Sequence, residues 1–537
     1  MKPFACFAAS ACTSILIAVS AACGQAQQPA SAAPARSVEQ PTLLVFITID
    51  QMRADYFQRF GPQFQGGLRR LGAGSAFFSN AHQDHGITET APGHASTMSG
   101  RFPRSTGIIE NAAGVNDSRY PLVLGSGTGA SPMRFQGTVL FDWMHAAHPD
   151  SRALSVSRKD RGAILPLGRA KQSIFWYAPS GEGFTTSTWY ADTLPTWVTR
   201  FNKEQPSTQY AGTVWNLLLP ESSYPEPDSV PAESRGRNFL FPHGLPADSA
   251  QAARVLPAVP WMDQYTLNFA LEGLQAMKLG AGEHTDLLAI SLSTTDAIGH
   301  QYGPDSREIH DQLLRLDRFL GAFIDSLYTL RDSSRIIFAL TGDHGVSSFP
   351  EVAAARRGGH GAYVDAMWDS ASAVLQRAVN AGLDTLAFEF DAPYLILHRE
   401  RFAGTKVNPD SLARSFIAAV RVVDGVQRAD LWSDLQKADT THDKIARRWQ
   451  HMFPPSFPAT VIVTLAPNSY WGHGSAQHGI PQDSDTNVPV LFYGGPFKPG
   501  HYTEFVRVVD MAPTLAAVLG VKPGEPLDGR VLRDALR

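Results

Sequence analysis

Residues 336–344 read Ile336-Ile337-Phe338-Ala339-Leu340-Thr341-Gly342-Asp343-His344. An unbroken apolar run with no polar alternation is the pattern of a strand buried on both faces. It stops at a glycine turn that carries a carboxylate and an imidazole side by side. Working outward, Leu43–Ile49 is a run of the same kind ending at Asp50, and Leu287–Leu292 is another, followed by Asp296. Val488–Tyr493 is a fourth and leads into Gly494-Gly495. Between such runs lie helical patterns. Ile309–Leu330 places apolar side chains at Leu313, Leu314, Leu316, Phe319, Leu320, Phe323 and Ile324, a helical period. Strands alternating with helices predict an α/β fold with a largely parallel central sheet and helices on both faces.

Ligands collect at the carboxyl ends of the strands in such sheets. Asp50, Asp296 and Asp343 each follow a buried strand and so point into one cleft. A single aspartate there is more often a helix N-cap or turn residue. Three of them, accompanied by histidines at ligand spacing, favour a metal site instead. Asp296 and His300 are four residues apart and can grip one ion from a helix start, Asp343-His344 is a second pair, and His478 adds an imidazole from far along the chain. Nitrogen and carboxylate oxygen together suit zinc. His82, Asp84 and His85 also cluster, but they read as a loop leading toward the next turn. His94 is assigned to packing or hydrogen bonding. His360 and His473 lie in glycine-rich loops and receive no role.

Thr88-Glu89-Thr90-Ala91-Pro92-Gly93-His94-Ala95 reads as a strand-to-helix turn, with Pro92 in the first helical turn, where its missing N–H costs nothing. Thr90 falls at or near the N-cap with its hydroxyl exposed. Alone this is an ordinary capping threonine. Beside a metal set it becomes a nucleophile, because a bound cation makes the hydroxyl acidic enough to attack.

The chain has 537 residues, enough for one large α/β unit with insertions, and its formal charge of −4 supplies no electrostatic footprint for nucleic acid. Residues 1–22 combine Lys2 with a run of apolar and small residues, the layout of a secretory signal. Cys23 then opens a polar stretch, and 23–41 reads as a flexible linker. Three fates fit this leader: lipidation at Cys23, ordinary cleavage, or retention as an anchor. The first two imply a periplasmic or outer-membrane-anchored protein. All three cysteines lie in the leader, so residues 24–537 hold no disulfide and no thiolate metal site. Residues 42–537 form the expected catalytic domain. Stretches at about 170–260, rich in aromatic residues and proline, and at about 346–475 depart from the alternating pattern and read as insertions capping the cleft.

The order Asp50, Thr90 within Thr-Ala-Pro-Gly-His, Asp296-x-x-x-His300, Asp343-His344 and His478 resembles the alkaline phosphatase superfamily over nearly the whole mature chain. More narrowly it is similar to the bacterial phosphate-irrepressible alkaline phosphatases with a threonine nucleophile. Two further segments carry that resemblance: Thr106-Gly107-Ile108-Ile109-Glu110-Asn111 and Ser157-Arg158-Lys159-Asp160-Arg161-Gly162. It implies two Zn2+ ions, one held by Asp296, His300 and His478, the other by Asp50, Asp343 and His344, with Thr90 between protein and substrate. It also implies that Asn111, Lys159 and Arg161 bind the phosphoryl oxygens. Lys159 and Arg161, one residue apart in an extended segment, would face the same way.

The resulting expectation is a phosphomonoesterase acting on small phosphate esters through a phosphothreonine. A phosphodiesterase or nucleotide pyrophosphatase of the same superfamily would keep the metals and Thr90 but lack the Lys159/Arg161 pair. A sulfatase is disfavoured, because threonine cannot become the oxidised nucleophile. A phosphoglycerate mutase is disfavoured by the secretion signal. The remaining reading, from another class, is a non-catalytic metal-binding surface lipoprotein. Oligomeric state is not legible.

Overall fold

A computed structural model describes residues 40–357 and 359–537. The expected signal, the cysteines, the lipid-anchor position Cys23 and nearly all of the expected linker lie outside the described residues. No helix among the described residues is long and apolar enough to cross a membrane.

The centre is a ten-stranded sheet. Across it run Gly500–Tyr502, Ala76–His82, Asn487–Tyr493, Ile336–Thr341, Leu43–Ile49, Asp286–Leu292, Ala153–Ser157, Ser173–Tyr177 and Phe184–Thr185, with Val506–Arg507 also pairing with Ala76–His82. The Leu43–Ile49 strand is parallel to both neighbours, Ile49 opposite Leu292 and Thr48 opposite Thr341. This register brings Asp50 level with Ser293 and Asp343 at one edge. The three apolar runs are fully buried, as expected of strands covered on both faces.

The sheet departs from the parallel expectation at both sides, and at the far edge Phe184–Thr185 runs antiparallel to Ser173–Tyr177. Asn487–Tyr493 runs antiparallel to Ile336–Thr341 and to Ala76–His82. The reversal has a consequence for the site. Asp50 and Asp343 follow their strands, whereas His478 must precede its own to reach the same edge.

Alternation along Leu43–Ile49 feeds two cores. Val45, Ile47 and Ile49 pack with Leu313, Leu316 and Leu320 of the helix Arg307–Leu330, while Leu44 and Phe46 join Ala91, Ala95 and Met98 of the helix Thr90–Ser99. Burying a leucine of this kind contributes about 2 kcal/mol. The longer helix is capped by Ser306, whose side chain accepts from the Ile309 N–H at 3.1 Å.

The two expected insertions differ in kind. Within 170–260, Ser173–Tyr177 and Phe184–Thr185 belong to the main sheet, so that stretch is not an insertion throughout. Its aromatics are largely core: Trp176, Tyr177, Phe184, Phe201 and Trp215 are buried, and Phe184 stacks on Phe269 at 3.9 Å. The 346–475 region contains a second, four-stranded antiparallel sheet of Phe388–Asp391, Tyr394–Leu397, Ala459–Leu465 and Val426–Leu431. Helices Asp365–Asn380 and Pro409–Val420 cover it, giving a hydrophobic core of its own around Val374, Leu395, Phe416 and Val463.

Candidate metal centre and nucleophile

Six of the seven expected ligands are carboxylates and imidazoles, and the fold draws them together. Asp50 and Asp343 lie just past their strands, and Asp296 and His300 share the helix Thr294–Tyr302. His300 Nε2 lies 3.2 Å and His478 Nε2 3.6 Å from Asp296 Oδ1. His344 Nε2 lies 3.4 Å from Asp50 Oδ1 and 3.6 Å from Asp343 Oδ2. Among the described residues two groups have ligand atoms within 4.8 Å of one another: Asp296, His300 and His478; and Asp50, Asp296 and His344. Asp296 is common to both, whereas Asp343 stands at the border of the second.

The imidazoles are set for metal binding by their outer partners. Nδ1 of His300 faces the Ala476 carbonyl at 2.6 Å, that of His478 the Thr88 carbonyl at 2.7 Å, and that of His344 the Gly345 carbonyl at 2.9 Å. A carbonyl only accepts, so each Nδ1 carries the hydrogen, and a ring in its neutral form turns the lone pair of Nε2 inward. The inward nitrogens of His300 and His478 also face the Asp296 carboxylate. His300 Nε2 and His478 Nε2 stand 3.1 Å apart. His344 Nε2 and Asp50 Oδ1 are both buried without a hydrogen-bond partner. Facing lone pairs of nitrogen and oxygen are the donor set of a zinc-type cation, so the residues fit such an ion.

The charges agree. Burial, reinforced by Asp296 and Asp343, pushes the Asp50 carboxyl above its ordinary value against the pull of Lys159 and His344. Burial also opposes ionisation of Asp296, yet Lys159 and His300 hold that carboxyl well below the usual carboxylate range. Burial and His478 together keep His344 well below the ordinary histidine value, hence neutral.

Thr90 is the first residue of its helix, one position past the N-cap, which is Glu89. Lys159 Nζ donates to Thr90 Oγ1 at 3.1 Å and to Asp296 Oδ2 at 2.7 Å, and lies 2.6 Å from Asp50 Oδ2. Asn111 reaches the same turn. Its Oδ1 accepts from the Ala91 N–H at 2.9 Å, which leaves the amide NH2 as the group able to donate elsewhere, and its own N–H donates to Glu89 Oε2 at 2.6 Å.

The extended reading of 159–161 is corrected by the structure. Lys159 is the N-cap and Arg161 the second residue of a short helix, Asp160–Ile164. The two side chains therefore diverge: Arg161 pairs with Asp160 at 3.5 Å and, among the described residues, makes no ion pair with the ligand carboxylates. Asp84 is occupied by Arg447 at 2.9 Å and Arg448 at 3.4 Å, and His82 bonds Thr486, so the 82–85 cluster is no ligand set. His94 does hydrogen-bond: Nδ1 lies 2.9 Å from the Thr90 carbonyl and 3.0 Å from Asp343 Oδ2, and Nε2 lies 2.9 Å from Ser291 Oγ.

Two residues at the site escaped the sequence reading. Gln51 donates from its backbone to Asp343 and from its side chain to Asp296, both at 3.0 Å. Arg158 lies 3.7 Å from Asp296 Oδ2, and burial lowers its affinity for the proton. Each adjoins a residue that was singled out, which was the available signal.

The family model described as type I phosphodiesterase / nucleotide pyrophosphatase matches residues 44–357. The alkaline phosphatase PhoV of Synechococcus elongatus is 30% identical over 94% of this chain and 94% of its own. The alkaline phosphatase PafA of Elizabethkingia meningoseptica is 27% identical over 90% of this chain and 93% of its own. The crystal structure of PafA superposes with a TM-score of 0.84 at 24% identity, covering 94% of this chain and 100% of that one.

Proposed function

The chain belongs to the type I phosphodiesterase / nucleotide pyrophosphatase family, and on that premise we propose that it hydrolyses small phosphate monoesters through a phosphothreonine formed at Thr90. The coarser assignment, an alkaline phosphatase-like phosphoesterase, rests on relatives of that name matching over most of the chain. The finer one rests chiefly on one contact, the Lys159 ammonium at 3.1 Å from the Thr90 hydroxyl. A cation so placed favours the deprotonated oxygen and offers a charge to the dianionic group of a monoester.

Two zinc ions, one on Asp296, His300 and His478 and one on Asp50, Asp343 and His344, would supply Lewis acidity to nucleophile, leaving group and water. The chain's own residues do the rest. Thr90 Oγ attacks phosphorus in line, forming the threonine–phosphorus bond as the ester bond to the leaving oxygen breaks. Water then attacks phosphorus, the threonine–phosphorus bond breaks, and phosphate leaves with net retention. Lys159 and the Asn111 amide hold nonbridging oxygens through both steps. Arg161 joins them once its side chain turns from Asp160 toward a bound dianion.

The family description favours a second reading, a phosphodiesterase. Comparing both activities in the doubly substituted Lys159→Ala, Arg161→Ala protein separates them. Monoester hydrolysis should fall at least about tenfold more than diester hydrolysis, because loss of a single oxyanion donor typically costs about 10²–10³ in rate. Equal losses would favour the diesterase. We place the enzyme beyond the cytoplasmic membrane, in the periplasm or tethered through Cys23; labelling with a fatty-acid analogue, with Cys23→Ser as the control, tests the tether.

A further inference from the structure

Two unfavourable local choices meet at one side chain. Gln51 adopts φ 68°, the left-handed region that a residue bearing a Cβ seldom enters. Gly299 lies inside the helix Thr294–Tyr302, although glycine is the poorest helix former after proline. The two are linked. A Cβ at position 299 would lie 1.7 Å from Gln51 Oε1, so the glycine is what gives this amide its room.

What the arrangement achieves is a bridge. The left-handed turn aims the Gln51 N–H at Asp343 Oδ1, while its Nε2 reaches Asp296 Oδ1, each at 3.0 Å. Among the described residues no other residue hydrogen-bonds both carboxylates. The atoms chosen matter. Asp296 Oδ1 is the oxygen that faces His300 and His478. Holding Asp343 by Oδ1 leaves Oδ2 on the side of His344 Nε2, 3.6 Å away. Gln51 is fully buried, so water does not compete for these bonds.

We propose that Gln51 is a positioning residue that ties the two candidate metal groups together, setting the spacing and rotation of Asp296 and Asp343 so that both ions are bound tightly. The proposal rests on the two-zinc reading above. Residues that orient ligands in this way typically change metal affinity about 10–100-fold when lost.

The test is a zinc titration of metal-stripped protein against a chromogenic chelator, with bound zinc counted by elemental analysis and folding checked by circular dichroism. Gln51→Leu keeps the bulk and the backbone bond to Asp343 but removes the side-chain donor to Asp296, which breaks the bridge. Gly299→Ala leaves Gln51 in the chain but evicts its amide. Each should weaken zinc binding about 10–100-fold while the protein remains folded. In a Gln51→Ala background, Gly299→Ala should add nothing further, because the new methyl enters vacated space. That non-additivity separates a bridge from general damage, and Gly299→Ala with the double variant decides the matter should Gln51→Leu fail to fold. If wild type binds two zinc ions and folded variants bind them equally tightly, the Gln51 role is overturned and the metal reading stands. A wild-type protein that takes up no zinc overturns both.

Discussion

A Cβ added to Gly93 would stand 2.2 Å from the carbonyl oxygen of Asp343. The helix that begins with Thr90 therefore rests directly on the backbone of a candidate metal ligand, with no side chain between. His94, the next residue, tightens the same joint through its 3.0 Å contact with the Asp343 carboxylate. Nucleophile and metal group are thus held in register by main-chain contact, which varies less than contact between flexible side chains.

Gly93→Ala should break that register. The methyl meets backbone rather than the movable end of a side chain, so the helix itself must shift, at a cost of about 1–3 kcal/mol. A displacement of about 1 Å at Thr90 would lower turnover about 10²-fold. Thermal melts and kcat on a chromogenic monoester measure the two effects; a fall in stability with kcat unchanged would detach the helix seat from catalysis.

Thr90→Ala should reduce turnover by at least about 10³-fold, in keeping with the loss of a nucleophile that acts as part of a unit. Acid-quenched wild type incubated with substrate should yield a peptide phosphorylated at Thr90 by mass spectrometry. A variant that kept turnover within tenfold of wild type would rule out the covalent route.

Chelation should abolish activity, and zinc should restore it. Because a cation binds the folded site and not the scattered ligands of the unfolded chain, free zinc at about 100 times its dissociation constant should add about 2.7 kcal/mol of stability per site. Unfolding monitored across a zinc series reads this directly. A melting temperature indifferent to zinc contradicts the donor geometry.

Asp84 supplies a pH-dependent part of the stability. Burial opposes its ionisation, but His451 and Arg447 outweigh this and hold the carboxyl below its ordinary value. The sign follows. A depressed carboxyl contributes stability that is complete above its unfolded pKa of about 4 and is lost as pH falls toward the folded value. Asp84→Asn takes from Arg447 the carboxylate it grips at 2.9 and 3.1 Å, while Arg448 keeps Asp483, so at neutral pH it should cost about 3 kcal/mol. The variant should also show a flatter decline in melting temperature below pH 4 than wild type. Parallel curves would place the acid sensitivity elsewhere.

The sequence by itself determined the strands and the acids past their ends. A strand covered on both faces is apolar at most positions, and the loss of that run marks the sheet edge, so Leu43–Ile49, Asp286–Leu292 and Ile336–Thr341 and the carboxylates beyond them were readable locally. The Thr90 turn was readable for the same reason, since capping and the tolerance of Pro92 are properties of a few neighbours. Only the tertiary structure decided the rest. A buried strand reads alike in either direction, so the antiparallel course of Asn487–Tyr493, which lets His478 precede its strand, comes from pairing with distant chain. The short helix at Asp160 separates Lys159 from Arg161, and Lys159 finds Thr90 across 69 positions of sequence. Gln51 bridges carboxylates 245 and 292 positions away. Periodicity records what a residue does to its own segment, whereas these contacts depend on where other segments come to lie.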